Sequence, residues 1–188
     1  MPDTGAPYFI PFADPTDLVR DWPDLSEDVA LAIVAALENI PVTQKKIEAF
    51  TGSGTWTVPA GVTYAIAHVL GGGGGISAGG DTDDAGDGSS SSVAFATTTP
   101  TSLGGIRTQA RLAVVRRAGQ ANSGQGARAY NTTSFVGIAA GDAQWVVGGA
   151  PVTPEASITV TVGAGGTAGT SGAAGGSGYV YIEYFEEV

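Results

Sequence analysis

Tyr64-Ala65-Ile66-Ala67-His68-Val69-Leu70 runs directly into Gly71-Gly72-Gly73-Gly74-Gly75. In an extended chain successive side chains point to opposite faces, so Tyr64, Ile66, His68 and Leu70 share one face and Ala65, Ala67 and Val69 the other. Both faces are largely apolar, which predicts a central strand buried on both sides. The same grammar recurs downstream, where Ile158-Thr159-Val160-Thr161-Val162 leads into Gly163-Ala164-Gly165-Gly166 within a glycine-rich stretch that reaches Gly178. Two strands that end in glycine blocks predict a mainly β fold.

Working outward, Val42 to Phe50 is polar and mixed and reads as a strand. Gly52-Ser53-Gly54 then turns the chain into a hairpin-like element, Thr55-Trp56-Thr57-Val58-Pro59-Ala60-Gly61-Val62. Trp56 alternates with threonines and faces the side of Val58, so it is expected in the core. Trp145, within Gln144-Trp145-Val146-Val147, reads as strand core too. The last strand, Tyr179-Val180-Tyr181-Ile182-Glu183-Tyr184-Phe185, sets Tyr179, Tyr181 and Phe185 on one face and Val180, Ile182 and Tyr184 on the other.

Glycine accounts for 30 of the 188 residues. A glycine run loses much backbone entropy on ordering, so neighbouring layers must hold it in place. Gly71–Gly75 is not a phosphate loop: no lysine followed by serine or threonine closes it, and no amphipathic helix follows.

The two anchor motifs, in this order, resemble the glycine-rich domain of phage tail proteins, over residues 50 to 188. That resemblance implies a glycine-rich, β-sandwich-like domain. In such relatives glycine runs form extended polyglycine helices packed in layers; a flexible loop fits a run of this length equally well. Between Gly80 and Gly163 this chain has few glycine runs, so a layered core is expected here only as two strips.

The first 23 residues carry Pro2, Pro7, Pro11, Pro15 and Pro23 among aromatics, which disfavours regular helix and predicts an extended arm. Asp14 to Pro23 resembles the N-terminal segments of minor tail proteins from phages of actinobacteria. A short α-helix follows, with Asp24 as its expected cap, Glu27 at the capping-box position and Pro41 beyond its end. Val29, Ile33, Ala36 and Ile40 recur at helical spacing with Leu37 at the edge of the stripe. A helix this short is marginal alone, so these five residues are the candidate oligomerisation seam. The chain is therefore expected to divide into 1–41, an arm and helix for attachment, and 42–188, the glycine-rich β domain. The resemblance implies a homotrimer.

A net charge of −10 argues against nucleic acid as a partner, because phosphate binding is driven by lysine and arginine. With no cysteine there is neither a disulfide framework nor a thiolate metal site. The longest apolar run, Val29 to Leu37, is far below the ~20 residues that span a bilayer, and no basic start marks a signal peptide. The expectation is synthesis in a host cytoplasm and a place in the virion reached by assembly.

Asp81, Asp83, Asp84 and Asp87 crowd one polar segment, but Ala85 and Ser92 stand where a calcium loop needs ligands, so a solvated loop is expected. From Arg107 to Arg128 the chain carries Arg107, Arg111, Arg116, Arg117 and Arg128 and no acidic residue. These arginines pair with the aspartate loop of this or a neighbouring subunit, or meet an anionic surface such as a charged host glycan; pairing is the preferred reading. Tyr130 and Asn131 add a ring and an amide of the kind that suits sugars. Arg116, Arg117, Arg128, Tyr130 and Asn131 are thus the candidate surface-contact residues. His68, the single histidine, reads as a hydrogen-bonded core group rather than a catalyst. No nucleophile elbow and no histidine pair is present, so enzymatic chemistry ranks below the other readings, although two carboxylates suffice for a glycosidase. No cofactor is implied. The expected function is a structural phage tail component whose partners are other tail proteins; the alternative is a carbohydrate-binding module that acts without assembly.

Overall fold

The computed structural model describes residues 22–38, 43–77, 84–109, 115–130 and 137–187. The chain divides into two compact units, Met1–Val42 together with Val188, and Thr43–Glu187. Residues 1–21 of the expected proline-rich arm lie outside the described residues, and its last two, Trp22 and Pro23, belong to a helix instead.

In the first unit, α1 spans Trp22–Glu38. It begins two residues upstream of the expected cap, so Asp24 is an internal residue of its first turn. Pro23 is accommodated because first-turn N–H groups have no intrahelical partner to lose. From Val29 to Leu37 the helix carries no polar side chain, and Leu31, Ile33, Val34 and Leu37 are exposed. Among the described residues no helix is long and apolar enough to cross a membrane.

The second unit is built from β1 (Thr43–Phe50), β2 (Gly54–Thr57), β3 (Tyr64–Leu70), β4 (Ile76–Ser77), β5 (Ser91–Val93), β6 (Thr101–Ser102), β7 (Thr108–Gln109), β8 (Val115–Arg117), β9 (Arg128–Tyr130), β10 (Gly137–Ala139), β11 (Trp145–Pro151), β12 (Ser157–Thr161) and β13 (Tyr179–Glu187). One antiparallel sheet has the order β1-β13-β3-β11 and a second the order β2-β12-β5-β6. β3 is therefore internal, as its sequence requires. β1 and β2 belong to different sheets, so Gly52-Ser53-Gly54 is a corner between sheets rather than the turn of a hairpin. Ser53 secures that corner by accepting a hydrogen bond from Val162 N–H at 2.9 Å.

The inner faces share one core of Trp56, Val58, Val62, Ala65, Ala67, Val69, Val93, Phe95, Ala150, Ile158, Val160, Val180 and Ile182. This is a β-sandwich. β3 is fully buried along one face, where Ala65, Ala67 and Val69 are sealed; on the other, Tyr64 is exposed, Ile66 and His68 are half-buried, and only Leu70, next to the glycine run, is buried. Small alanines on the inner face of β3 leave room for Trp56, which is fully buried and lies 5.5 Å from the Tyr184 ring. Its Nε1–H has no hydrogen-bond partner among the described residues.

Beyond Leu70 the two-sided ladder becomes a threefold one. Gly72 and Gly75 donate to Ser89 O and Gly86 O, Gly73 and Ile76 donate to Gly176 O and Ala173 O, and Gly74 donates to Gly141 O, all at 2.9–3.0 Å. The carbonyls repeat the pattern. Gly72 and Gly75 accept from Gly105 and Thr108, Gly73 and Ile76 from Gly166 and Gly169, and Gly74 from Ala127. A partner that recurs every third residue marks polyproline II backbone, which has three residues per turn and no internal hydrogen bonds.

Six segments thus surround the run 71–76, and they also bond to one another in a closed ring. Gly88 donates to Gly105 O, Gly86 to Thr167 O, Gly175 to Gly166 O, Gly176 to Gln125 O, Ala140 to Ala127 O and Gly141 to Ile106 O. The result is a hexagonal polyglycine bundle. A Cβ added at any of Gly71 to Gly75 would lie closer than 3.0 Å to backbone atoms of a neighbouring segment, so only glycine fits. The expected two strips are an underestimate. Gly86, Gly88, Gly104, Gly105, Gly126 and Gly141, none in a run of three, supply the other walls.

The bundle continues the sandwich: β3, β6 and β12 lead into it and β5, β11 and β13 lead out. Two buried serines join the two patterns. Ser91 Oγ donates to Leu70 O at 2.7 Å and accepts from Gly163 N–H at 2.8 Å. Ser102 Oγ accepts from Gly71 N–H at 2.8 Å and donates to Gln144 O at 2.6 Å. Each hydroxyl links backbone groups of two segments at the junction, as buried polar groups require.

Candidate functional site

Two surfaces of the β unit carry side chains whose arrangement the core does not demand. The first is the outer face of the four-stranded sheet. Register places Tyr179 and Trp145 beside Leu70, and Tyr181 and Val147 beside His68. The Trp145 ring lies 6.4 Å from Tyr179 and 5.9 Å from Tyr181, edge-on to both. His68 stacks on Tyr181 at 4.2 Å with planes 9° apart.

A polar edge adjoins these rings. Lys45 Nζ lies 2.9 Å from Glu183 Oε1, and His68 Nε2 lies 3.7 Å from Glu183 Oε2. The Lys45 hydrogen bond is the main reason the Glu183 carboxyl sits below its ordinary range. Trp145 is 52% exposed, so it is a surface ring and not the strand core expected from sequence. The inner face of β11 is instead supplied by Val146, Gly148 and Ala150, with Pro100 packed against Gly148. His68 sits on this face as a half-buried, ring-stacked residue rather than in the core.

The second surface is a pocket of about 420 Å³ lined by Arg117, Ala118, Gln120, Gln125 and Arg128. β8 and β9 set Arg117 directly opposite Arg128. Arg128 approaches Asp142 only to 3.9 Å, and Asp142 Oδ1 accepts from Gly126 N–H at 2.6 Å. The structure therefore brings together Arg117 and Arg128 of the candidate contact residues. Arg116 and Tyr130 are placed by backbone only, in β8 and β9, and Asn131 lies outside the described residues. Of the helical seam, Val29 and Ala36 are half-buried, Ile33 and Leu37 exposed, and Ile40 lies outside the described residues.

Among the described residues, the aspartate segment pairs with the arginines at Asp87 and Arg107. Arg107 N–H donates to Asp87 Oδ1 at 2.8 Å, and its guanidinium lies 3.9 Å from Oδ2. Asp84 turns to its own unit: Oδ1 accepts from Ser77 Oγ at 2.7 Å, and the carboxylate accepts from Thr170 N–H at 2.8 Å and from the Thr170 hydroxyl. Those bonds, with the Thr170 hydroxyl foremost, lower its pKa to about 2. Asp81 and Asp83 lie outside the described residues. Among the described residues no group of three or more His, Asp or Glu side chains is placed to hold a metal ion.

The ring face is not legible in the sequence because its members come from three strands, and only pairing across the sheet shows which side Trp145 faces. The signal available was the alternation of Tyr179 and Tyr181 on the face opposite Val180 and Ile182. Compared with known proteins, the chain matches no family model and no curated sequence.

Proposed function

We propose that this protein is a structural component of a phage tail, attached through its N-terminal unit and displaying the β unit toward the host surface. The observation that carries this reading is the hexagonal glycine bundle around 71–76, which is a close-packed backbone lattice rather than a ligand cavity. A body held by interlocked main-chain hydrogen bonds suits a protein that must keep its shape while exposed outside a cell.

The N-terminal helix supports attachment. A helix that is apolar around most of its circumference is ordinarily covered. Leu31, Val34 and Leu37 are 50–60% exposed here, which leaves an apolar surface for tail proteins or for two further copies of the chain. Light scattering on the full-length chain and on a variant carrying Leu31→Gln, Val34→Gln and Leu37→Gln tests this. A trimer that the substitutions convert to monomer supports the reading; a full-length monomer in the absence of tail proteins sinks self-assembly.

A second reading, a carbohydrate-binding module that acts without assembly, is favoured by the outer ring face. Trp and Tyr rings pack on the apolar faces of pyranoses; here Trp145 is exposed and Tyr179 and Tyr181 are half-buried, with Glu183, Lys45 and His68 offering hydrogen-bonding groups beside them. Glycan retention by a monomeric chain, abolished by Trp145→Ala, would favour it over the tail reading.

A further inference from the structure

We propose that Arg117 and Arg128 form a binding site for the carboxylate or phosphate group of an anionic sugar. Placing like charges directly across an antiparallel pair destabilises the pair, so the fold gains nothing from this juxtaposition. The choice is the more pointed in a chain with 18 acidic and 8 basic residues, where acidic partners are plentiful. Yet Arg117 has no ion-pair partner among the described residues, and Arg128 reaches Asp142 only at the outer limit of an ion pair.

The donors are also left unused. Arg128 Nε is buried without a hydrogen-bond partner among the described residues. Gln125 spends its side-chain oxygen on Gln120 N–H at 3.3 Å, which leaves its amide N–H groups for a ligand. Two guanidinium forks and two glutamines around about 420 Å³ make a donor-rich pocket in the size range of ligand sites. Guanidinium is planar and matches the paired oxygens of a carboxylate or phosphate. An anion between Arg117 and Arg128 would convert their repulsion into two attractive contacts.

The source of the anion is a uronic acid or a sugar phosphate of a surface polymer. That source rests on the display reading above, whereas the anion site itself does not. The test titrates the full-length chain, in whatever oligomeric state it adopts, with glucuronate, glucose 6-phosphate and neutral glucose, by calorimetry at low salt. Either anion is expected to bind with Kd on the order of 1 mM, glucose not to bind, and affinity to fall as salt rises.

Arg117→Gln and Arg128→Gln should each weaken anion binding by about tenfold or more, and Arg117→Lys by less, because lysine keeps the charge and loses the fork. Preference for glucuronate assigns a carboxylate ligand, and preference for glucose 6-phosphate a phosphate. Since Arg117→Gln also removes the repulsion, its melting temperature should match or exceed that of the parent chain, which separates lost binding from lost folding. Absence of anion binding, equal binding of glucose, or unchanged affinity in both variants overturns the site. A change in mass on Arg117→Gln without anion binding would assign the arginines to contacts between copies and equally overturn it.

Discussion

Gly73→Ala tests the glycine bundle with a single methyl group. The new Cβ would meet Gln125 C and O and Gly126 N, all closer than 3.0 Å, so a backbone segment and not a flexible side chain has to move. That segment is held on two sides: Gln125 O accepts from Gly176 N–H at 2.8 Å and Ala127 N–H donates to Gly74 O at 2.9 Å. Breaking both leaves buried backbone groups unpaired at about 1–3 kcal/mol each. Alanine restricts the unfolded chain and returns about 0.4–1 kcal/mol. The net expectation is a loss of about 2–4 kcal/mol, a large share of the ~5–15 kcal/mol typical of a folded protein. At about 2–4 °C per kcal/mol for a chain of this size, the melting temperature should fall by roughly 5–15 °C in calorimetry or circular dichroism. Gly52→Ala is the control. No atom lies within 4 Å of its added Cβ, so its stability should stay within about 0.5 kcal/mol of the parent or rise slightly. If the two variants melt within about 2 °C of each other, the close-packed lattice is refuted.

Three further outcomes are expected. Ser91→Ala removes the buried hydroxyl bonds to Leu70 O and Gly163 N–H together and should destabilise by about 2–4 kcal/mol, read as a shift in the denaturant midpoint with an unchanged slope. Asp84→Ala should lower the melting temperature at neutral pH. Because folding lowers the Asp84 pKa from 3.8 to about 2, its contribution is present above the unfolded value and lost as pH falls through the folded one, so the two melting curves should converge between those pH values. A gap that stays constant down to pH 2 would contradict the role assigned to its carboxylate. Trp56→Ala removes the largest ring of the sandwich core and should cost about 3–5 kcal/mol, whereas Trp145→Ala, on the outer face, should change stability far less in the same denaturant assay.

The strands that build the core were legible where alternation is strict. Val180 and Ile182 alternate with Tyr179 and Tyr181, and Ile158 and Val160 with threonines, so the pleat itself names the buried face. β11 defeated the same logic: Trp145, Val146 and Val147 are consecutive and apolar, and Gly148 and Gly149 offer no side chain to weigh, so only pairing with β3 reveals that Trp145 faces out. The glycine run was legible as a feature whose partners were not. Gly72 bonds to Ser89 and Gly105, Gly73 to Gly166 and Gly176, contacts between segments separated by up to a hundred residues, and a threefold hydrogen-bond direction leaves no local periodicity. Single glycines such as Gly88 and Gly141 look like ordinary turn residues until a neighbouring backbone is seen to occupy the space of a Cβ.

The helix shows the same division. Its existence followed from the apolar spacing, but its start did not, because proline is acceptable in a first turn and so fails to mark the boundary. The facing of Arg117 and Arg128 depends on the register of β8 with β9, which nothing local in either segment specifies.

Hydrogen–deuterium exchange resolved across 71–76 tests the central claim most directly. A run whose amides from Gly72 to Ile76 are all donated to carbonyls of three neighbouring segments should exchange as slowly as Val69 and Val180 in the sandwich core, opening only with the whole unit. Exchange of Gly72 to Ile76 at the rate of an unprotected peptide, with Val69 and Val180 still protected, would show a flexible loop in place of the lattice and contradict the account.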